Sequence, residues 1–205
     1  MISVEFLADW VRVFGSLVDA QHDRLNALDA AIGDADHGTN LTRGFTVVTA
    51  ELTAPPEQPG ELLTAVGQTV VSKVGGAAGP LFGSFFLCLG DAVGNDHDLD
   101  VRRFTLGLRA GLAGVVARGS AQAGDKTMYD AMAPGIDALD AAAAARHDLA
   151  GIFHAGAAGA QSGRDATVDL LARKGRASYL GERSVGHLDP GATSAALLFT
   201  ALPIT

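Results

Sequence analysis

The sequence of 205 residues lacks several features that mark whole classes of proteins. Its only cysteine is Cys88, which excludes an internal disulfide and a cysteine-based metal site and favours a reducing compartment such as the cytoplasm. No apolar run approaches the ~18 residues that span a bilayer. The N-terminal stretch carries Glu5 and Asp9 and lacks the basic region of a secretory signal. We therefore expect neither membrane insertion nor export.

Positive charge is also scarce, because 15 Lys and Arg face 23 Asp and Glu for a net charge of −8. An acidic chain without a basic run predicts that neither nucleic acid nor an anionic membrane is a partner. Strand signals are equally weak, since no alternating apolar run is bounded by hairpin-type turns. Hydrophobic residues nevertheless make up 48% of the chain, which is enough for a full core.

Helical periodicity runs through most of the sequence. Leu7, Trp10, Val11, Phe14 and Val18 form one apolar stripe at helical spacing. The helical stretch ends near residue 29, and similar patterns predict helices over 37–48, 62–74, 81–93, 104–116, 128–145, 149–171 and 192–202. We therefore predict one all-α domain, residues 1–205, of about seven or eight helices whose many Ala and Gly residues allow close packing.

Three aspartates, Asp29, Asp34 and Asp36, form the sharpest feature, which we call the acidic cluster. Asp34 and Asp36 point the same way in extended backbone, and Gly33 lets the chain turn back towards Asp29. Carboxylates without cysteine or paired histidine favour Mg²⁺ or Ca²⁺. The spacing equally allows a purely structural interpretation, in which Asp34 caps a turn, Asp36 caps the next helix and Asp29 is solvated.

Three glycine-containing loops accompany the acidic cluster. Gly75–Gly83 leads into a helix, and either close helix packing or contact with a ligand explains its small residues. Gly119–Thr127 nearly matches a P-loop, but Asp125 breaks the GxxxxGK[ST] spacing and no strand precedes it.

The third loop, Arg173–Gly191, holds four of the fifteen basic residues, and its length favours a ligand-covering role over a plain surface loop. We call it the capping loop. The helix predicted to begin at His37 would offer N–H groups suited to phosphate. Together these features are typical of phosphoryl transfer.

Four segments in this order resemble the family of DhaL-type nucleotide-binding subunits of dihydroxyacetone kinases. They are Leu28–Asn40 (LDAAIGDADHGTN), Gly75–Gly83 (GGAAGPLFG), Gly124–Asp130 (GDKTMYD) and Gly175–Ala192 (GRASYLGERSVGHLDPGA). The resemblance covers nearly the whole chain. It implies an all-α barrel of eight antiparallel helices, with a nucleotide at one end beneath the capping loop.

The resemblance also implies individual site residues. Asp29, Asp34 and Asp36 would hold two Mg²⁺ ions that bridge the phosphates of ADP or ATP, and Arg176 would be catalytic. The residues implied to contact the nucleotide are His37, Gly38, Thr39, Asn40, Ala77, Ala78, Gly119, Met128, Arg176, Asp189, Pro190 and Gly191.

The family comes in two forms, and the chain length favours one of them. A chain of 205 residues has no room for the fused substrate-binding domain of the ATP-dependent kinases. We therefore expect a separate cytoplasmic subunit of the phosphotransferase-system-dependent form. In that form, a DhaM-type donor phosphorylates the bound ADP, and the phosphoryl group passes to dihydroxyacetone on a DhaK-type subunit. A homodimer is a further assembly that the resemblance leaves open.

Two positions depart from the family pattern. Ala35 stands where the family usually has Gly, and Ala78 stands where it usually has a Ser whose hydroxyl lies near phosphate. Backbone N–H contacts survive the second change, but the hydroxyl contact does not. Two other functions remain open at this point: a nucleotide-sensing interaction module, and a kinase subunit for another small ketose or an acyl acceptor.

Overall fold

The computed structural model describes residues 1–96 and 99–202. Two 3₁₀ helices, Thr167–Asp169 and Arg176–Ser184, lie between the last two α-helices. The α-helices in chain order are α1 (Val4–Ala20), α2 (His22–Ile32), α3 (His37–Glu51), α4 (Pro59–Lys73), α5 (Ala78–Val93), α6 (Val101–Gly119), α7 (Tyr129–Ala144), α8 (Leu149–Ala166) and α9 (Pro190–Thr200).

The predicted all-α fold class is confirmed. Within the described ranges, β pairing is confined to one isolated bridge between Ile2 and Leu99. Only Gln21 separates α1 from α2, so these two helices continue each other with a break. None of the helices in the described part of the chain combines the length and apolar character needed to cross a bilayer.

Side-chain caps explain where several helices begin. Ser3 Oγ accepts a hydrogen bond from the Phe6 amide at 3.1 Å, and Asp100 Oδ1 accepts one from the Arg103 amide at 2.7 Å. Asp148 caps α8 in the same way. These bonds satisfy amide donors that have no partner within the first turn of a helix.

An aromatic core fills the space between the helices. The Trp10 ring lies 5.6 Å from the Phe104 ring and 5.9 Å from the Phe86 ring, measured between centroids. Phe14 packs edge-on against Phe45 at 4.7 Å. The Trp10 indole N–H donates to a backbone carbonyl of α9, so the largest aromatic side chain of the core also has its polar atom satisfied.

Glycines let neighbouring helices approach closely, as the composition predicted. In the pair α4 and α5, a Cβ built on Gly67 would lie 3.1 Å from the Gly83 carbonyl oxygen. A Cβ on Gly83 would lie only 2.3 Å from a methyl group of Val71. Such distances leave no room for a side chain at either position.

One helix is shorter than the periodicity predicted. The pattern allowed α8 to continue to Leu171, but it ends at Ala166. The Thr167 hydroxyl donates to the Arg164 carbonyl at 2.6 Å, and the chain passes through a 3₁₀ turn into extended backbone at Leu170. The side-chain hydrogen bond thus competes with continuation of the helix.

Candidate functional site

A pocket of about 820 Å³ lies where the first turns of α3, α5 and α9 and the N-cap residue of α7 meet the ends of α2 and α6 and the capping loop. Most of the site residues named from the resemblance line it. These are Asp29, Asp34, Asp36, His37, Asn40, Ala77, Ala78, Gly119, Met128, Arg176, Asp189, Pro190 and Gly191. Gly38 and Thr39 are not part of the pocket wall, because Thr39 turns towards α2 and bonds to Asn26.

The acidic cluster forms one compact group of carboxylates. Asp29, Asp34 and Asp36 each offer an oxygen, and these oxygens lie within 4.8 Å of one another. The side chain of Asp36 makes no capping hydrogen bond to α3, although Asp36 stands at the N-cap position. Asp29 is only 9% exposed. The structural alternative, with Asp36 as a cap and Asp29 in solvent, is therefore wrong for both residues.

Backbone contacts position Asp29 within this cluster. Its Oδ2 accepts hydrogen bonds from the amides of Asp36 at 2.9 Å and of His37 at 3.2 Å. Asp29 thus caps α3 from a neighbouring helix and fixes the turn that carries the other two carboxylates. Gly33 makes this approach possible, since a Cβ there would lie 2.1 Å from Asp29 Oδ1.

The two residues that depart from the family pattern stand in contrasting surroundings. Ala35 has a backbone φ of 66°, in the left-handed region that glycine adopts without strain. The turn between Asp34 and Asp36 therefore has a conformation suited to the usual Gly.

Ala78 begins α5, and Ala77 before it provides no side-chain cap. The start of α5 therefore offers the Ala78 amide to the pocket, but no hydroxyl, and Pro80 in the same turn has no N–H.

The start of α3 is less open to a ligand than the sequence predicted. Asp29 accepts from the His37 amide, and Asn26 Oδ1 accepts from the Thr39 amide at 3.0 Å. Protein oxygens thus occupy amides of the first turn that a phosphate would need. The start of α5 is the better anion site by this measure.

His37 joins two helices that are distant in sequence. Its Nε2 lies 2.9 Å from the Ser194 hydroxyl, and its ring is also hydrogen-bonded to the Pro190 backbone. Burial lowers the pKa of the His37 ring, while the carboxylates of Asp29 and Asp36 act in the opposite direction. The imidazole therefore links the start of α3 to the start of α9 in its neutral form near pH 7.

Asp189 caps α9 from inside the pocket wall. Its Oδ2 accepts from the Ala192 amide at 2.7 Å, and its own amide donates to the Thr167 hydroxyl at 3.1 Å. Burial raises the pKa of the Asp189 carboxyl from 3.8 to about 7, against the opposing effects of the Ala192 amide and the Lys126 charge.

The capping loop brings a cation to the acidic cluster. A guanidinium nitrogen of Arg176 lies 2.9 Å from Asp34 Oδ2. Side-chain hydroxyls order the loop: Ser178 donates to the Gly175 carbonyl at 2.6 Å, and Ser184 donates to the Gly181 carbonyl at 2.7 Å. These bonds explain why a segment predicted as plain loop contains a 3₁₀ helix.

Sequence reasoning missed several residues of the pocket wall. Leu81 and Val115 were assigned to helix packing, yet they also form an apolar side of the pocket. Lys126 was set aside when the P-loop interpretation of its segment was rejected, but its side chain is buried at the pocket. The helical period predicted that Leu81 and Val115 are buried. No feature of the neighbouring sequence identifies Lys126 as part of the pocket.

The donor set fits a hard divalent cation. Three carboxylates without cysteine or histidine ligands match the oxygen preference of Mg²⁺ and Ca²⁺. The Arg176 guanidinium beside Asp34 is consistent with a site that requires positive charge.

Comparisons with known proteins agree with this geometry. The chain is 39% identical to the ADP-binding subunit DhaL of the PEP-dependent dihydroxyacetone kinase of Escherichia coli (strain K12), over 97% of this chain and 95% of that protein. It is 43% identical to a DhaL subunit of Listeria innocua, over 94% of this chain and 92% of that protein.

A solved structure and a protein family are also similar to this chain. The crystal structure of the dihydroxyacetone kinase from C. freundii in complex with AMP-PNP and Mg²⁺ is similar with a TM-score of 0.72 at 27% identity, covering 95% of this chain and 33% of that chain. Residues 31–203 match the DAK2 domain. The chain therefore belongs to the DAK2-domain family, which includes the DhaL subunits of dihydroxyacetone kinases.

Proposed function

We propose that this chain is the ADP-carrying subunit of a PEP-dependent dihydroxyacetone kinase in the cytoplasm. The observation that carries the proposal is the acidic cluster, whose carboxylate oxygens lie within 4.8 Å of one another on the wall of a pocket. Asp29 also caps α3 and Arg176 pairs with Asp34, but three grouped carboxylates still exceed one guanidinium in charge, and a divalent cation would offset that excess. The near full-length similarity to DhaL subunits supports the same function.

Each part of the pocket has a distinct task in this proposal. Asp29, Asp34 and Asp36 hold two Mg²⁺ ions, and the N–H groups at the start of α5 receive phosphate oxygens. The apolar side formed by Leu81 and Val115 suits the flat face of a nucleobase. When bound, the nucleotide supplies the phosphoryl group that is transferred, and Mg²⁺ neutralises the phosphate charge.

Arg176 is the catalytic residue in this proposal. Its guanidinium is 70% exposed and lies at the acidic cluster, so it can leave Asp34 and donate to a phosphoryl oxygen without breaking packed contacts. Positive charge at this point stabilises the negative charge that develops during transfer.

The remaining chemistry belongs to partner subunits. We propose a DhaM-type donor, which phosphorylates bound ADP, and a DhaK-type subunit, which presents dihydroxyacetone. Both would approach the pocket at the capping loop, whose exposed residues include Tyr179 and Arg183.

Replacement of Asp34 by Asn tests the cation site. Asp34→Asn removes a ligand charge, and we expect the affinity for ADP in the presence of Mg²⁺ to fall at least about tenfold. Titration calorimetry measures this change. Asp19→Asn, an exposed aspartate on α1, is the matched control and should bind as the unaltered chain does. Unchanged affinity in Asp34→Asn would disprove the metal assignment.

A reconstituted assay tests the reaction itself. The chain is mixed with the DhaK and DhaM subunits of the E. coli enzyme and PEP-charged phosphotransferase proteins, and formation of dihydroxyacetone phosphate is followed. Turnover supports the proposal. Tight ADP binding without turnover would indicate a nucleotide-sensing module or a kinase subunit for another acceptor.

A further inference from the structure

Lys126 is a lysine with 1% of its surface exposed, and no step of the proposed reaction uses it. Lysine side chains are seldom buried unless their charge has partners. Its Nζ donates to the carbonyl oxygen of Thr167 and, at 2.5 Å, to that of His187. Burial lowers the pKa of the ammonium, and the carboxylates of Asp189 and Asp169 act in the opposite direction.

The two acceptors of Lys126 belong to different parts of the molecule. Thr167 is the C-cap of α8, where the helix dipole favours a cation. His187 lies on the returning side of the capping loop, two residues before Asp189. One ammonium therefore joins the body of the protein to the loop that closes the pocket.

The outgoing side of the capping loop is attached beside the same lysine. The Arg173 amide donates to the Asp125 carbonyl at 3.0 Å. Residues 125 and 126 thus hold both sides of the loop, and Arg176 lies on the segment between them. Two backbone amides also attach the returning side to the body: Gly186 donates to the Val168 carbonyl at 2.8 Å, and Asp189 donates to the Thr167 hydroxyl at 3.1 Å. The other contacts of the loop are the ion pair of Arg176 with Asp34 and a small apolar contact formed by Ile32, Ala172 and Ala177.

We propose that Lys126 is a positioning residue, whose ammonium fastens the capping loop and thereby holds Arg176 and the Asp189 turn at the pocket. The lysine of a P-loop binds phosphate directly, whereas this lysine binds carbonyl oxygens of its own chain. Without the ammonium, two buried carbonyls lose their donor, and the returning side of the loop is loosened because only the amides of Gly186 and Asp189 still attach it to the body. The ADP-binding measurement of the double-mutant cycle rests on the proposed function, whereas the hydrogen-exchange measurements do not.

Hydrogen exchange in the free chain tests the fastening directly. Lys126→Met keeps most of the side-chain volume and removes the charge. We expect amides of residues 173–188 to exchange about tenfold faster, while those of α4 and α5 keep their rates. Lys73→Met, an exposed lysine at the end of α4, is the control for loss of charge. Unchanged exchange in the capping loop would overturn the proposal.

If Lys126→Met folds poorly, a milder variant can be measured in its place. Lys126→Gln keeps one donor at a similar position and should show the same localised increase at a smaller size. A general rise in exchange over all helices in both variants would overturn the proposal, because Lys126 would then stabilise the core and not the loop.

A double-mutant cycle shows whether Lys126 acts through Arg176. We expect Lys126→Met to weaken ADP binding about tenfold, and the double variant with Arg176→Ala to bind little worse than the weaker of the two single variants. Additive losses with unchanged exchange would mean that Lys126 contacts the nucleotide itself, which overturns the positioning role. Absence of ADP binding in the unaltered chain would refute the proposed function and leave the exchange test intact.

Discussion

The helical body and the capping loop are stabilised by different interactions. In the body, Trp10, Phe14 and Phe86 are at most 1% exposed and contact other aromatic rings. The loop has a small apolar contact and relies on hydrogen bonds, such as those that Ser184 accepts from the Ala172 amide and that Lys126 donates to the His187 carbonyl. Burial of aromatic area contributes several kcal/mol per side chain, whereas single hydrogen bonds contribute about 1 kcal/mol. Changes in the loop therefore alter function with little effect on stability.

The largest effect on stability is expected in the aromatic core. Phe86 is fully buried, and its ring lies 5.4 Å from the Phe85 ring. Phe86→Ala should lower the free energy of unfolding by about 3–5 kcal/mol, because it leaves a cavity. Chemical denaturation measures the change. Tyr179→Ala, at an 87% exposed position on the capping loop, should change it by less than about 0.5 kcal/mol. Similar losses in both variants would contradict the contrast between body and loop.

Two buried groups of the pocket have opposite effects on stability as pH changes. The pKa of Asp189 is raised to about 7, so between pH 4 and 7 the folded chain keeps a proton that the unfolded chain releases, and stability falls as pH rises. The pKa of His37 is lowered below 6.5. Below pH 6.5 the unfolded chain therefore binds a proton that the folded chain does not, and stability falls as pH drops.

Asp189→Asn isolates the first of these effects. The variant keeps an oxygen to cap α9 but has no charge to bury. Without metal and nucleotide, we expect its melting temperature to exceed that of the unaltered chain by about 5 °C at pH 8, and the gain to disappear near pH 4. Calorimetry at both pH values measures the difference. A gain of equal size at both values would show that the charge of Asp189 is not its source.

A smaller, stabilising effect is expected at the turn of the acidic cluster. Ala35→Gly relieves a left-handed backbone and should raise the free energy of unfolding by about 0.5–1 kcal/mol. Ala27→Gly, in the middle of α2, is the matched control and should lower it by a similar amount. Thermal melts of the two variants should shift in opposite directions; shifts of the same sign would argue against strain at residue 35.

The smallest effect on stability is expected at the catalytic residue that we propose. Arg176→Ala breaks an exposed ion pair, so the melting temperature should change by less than about 2 °C. Phosphoryl transfer in the reconstituted assay should nevertheless slow at least about 100-fold. Arg102→Ala, exposed at the start of α6 and away from the pocket, should keep its rate. A loss of stability as large as that of Phe86→Ala would make Arg176 a structural residue.

The features predicted from sequence are those encoded over short distances. The stripe from Leu7 to Val18 predicted α1, because helical spacing reveals one buried face within a few turns. The acidic cluster was predicted for the same reason, since Gly33 and the spacing of Asp34 and Asp36 lie within one turn. One prediction over a short distance was wrong. The apolar pattern of α8 continues to Leu171, but the helix ends where the Thr167 hydroxyl bonds to the Arg164 carbonyl.

The features that escaped prediction depend on distant parts of the chain. His37 bonds to Ser194, 157 residues away, and Lys126 bonds to the His187 carbonyl, 61 residues away. A histidine at the first position of a helix and a lysine after Gly-Asp have many local explanations, and only the packing of α8 and α9 selects among them. The role of Lys126 was also obscured by its near match to a P-loop.

The bond between His37 and Ser194 also has a consequence for biosynthesis. A ribosome must deliver the chain beyond residue 194 before α9 can dock beside α3 and the pocket wall can close. Nascent chains that stop short of residue 194 would carry all three carboxylates of the acidic cluster but no completed pocket around them. The pocket can therefore be completed only after residue 194 has been synthesised.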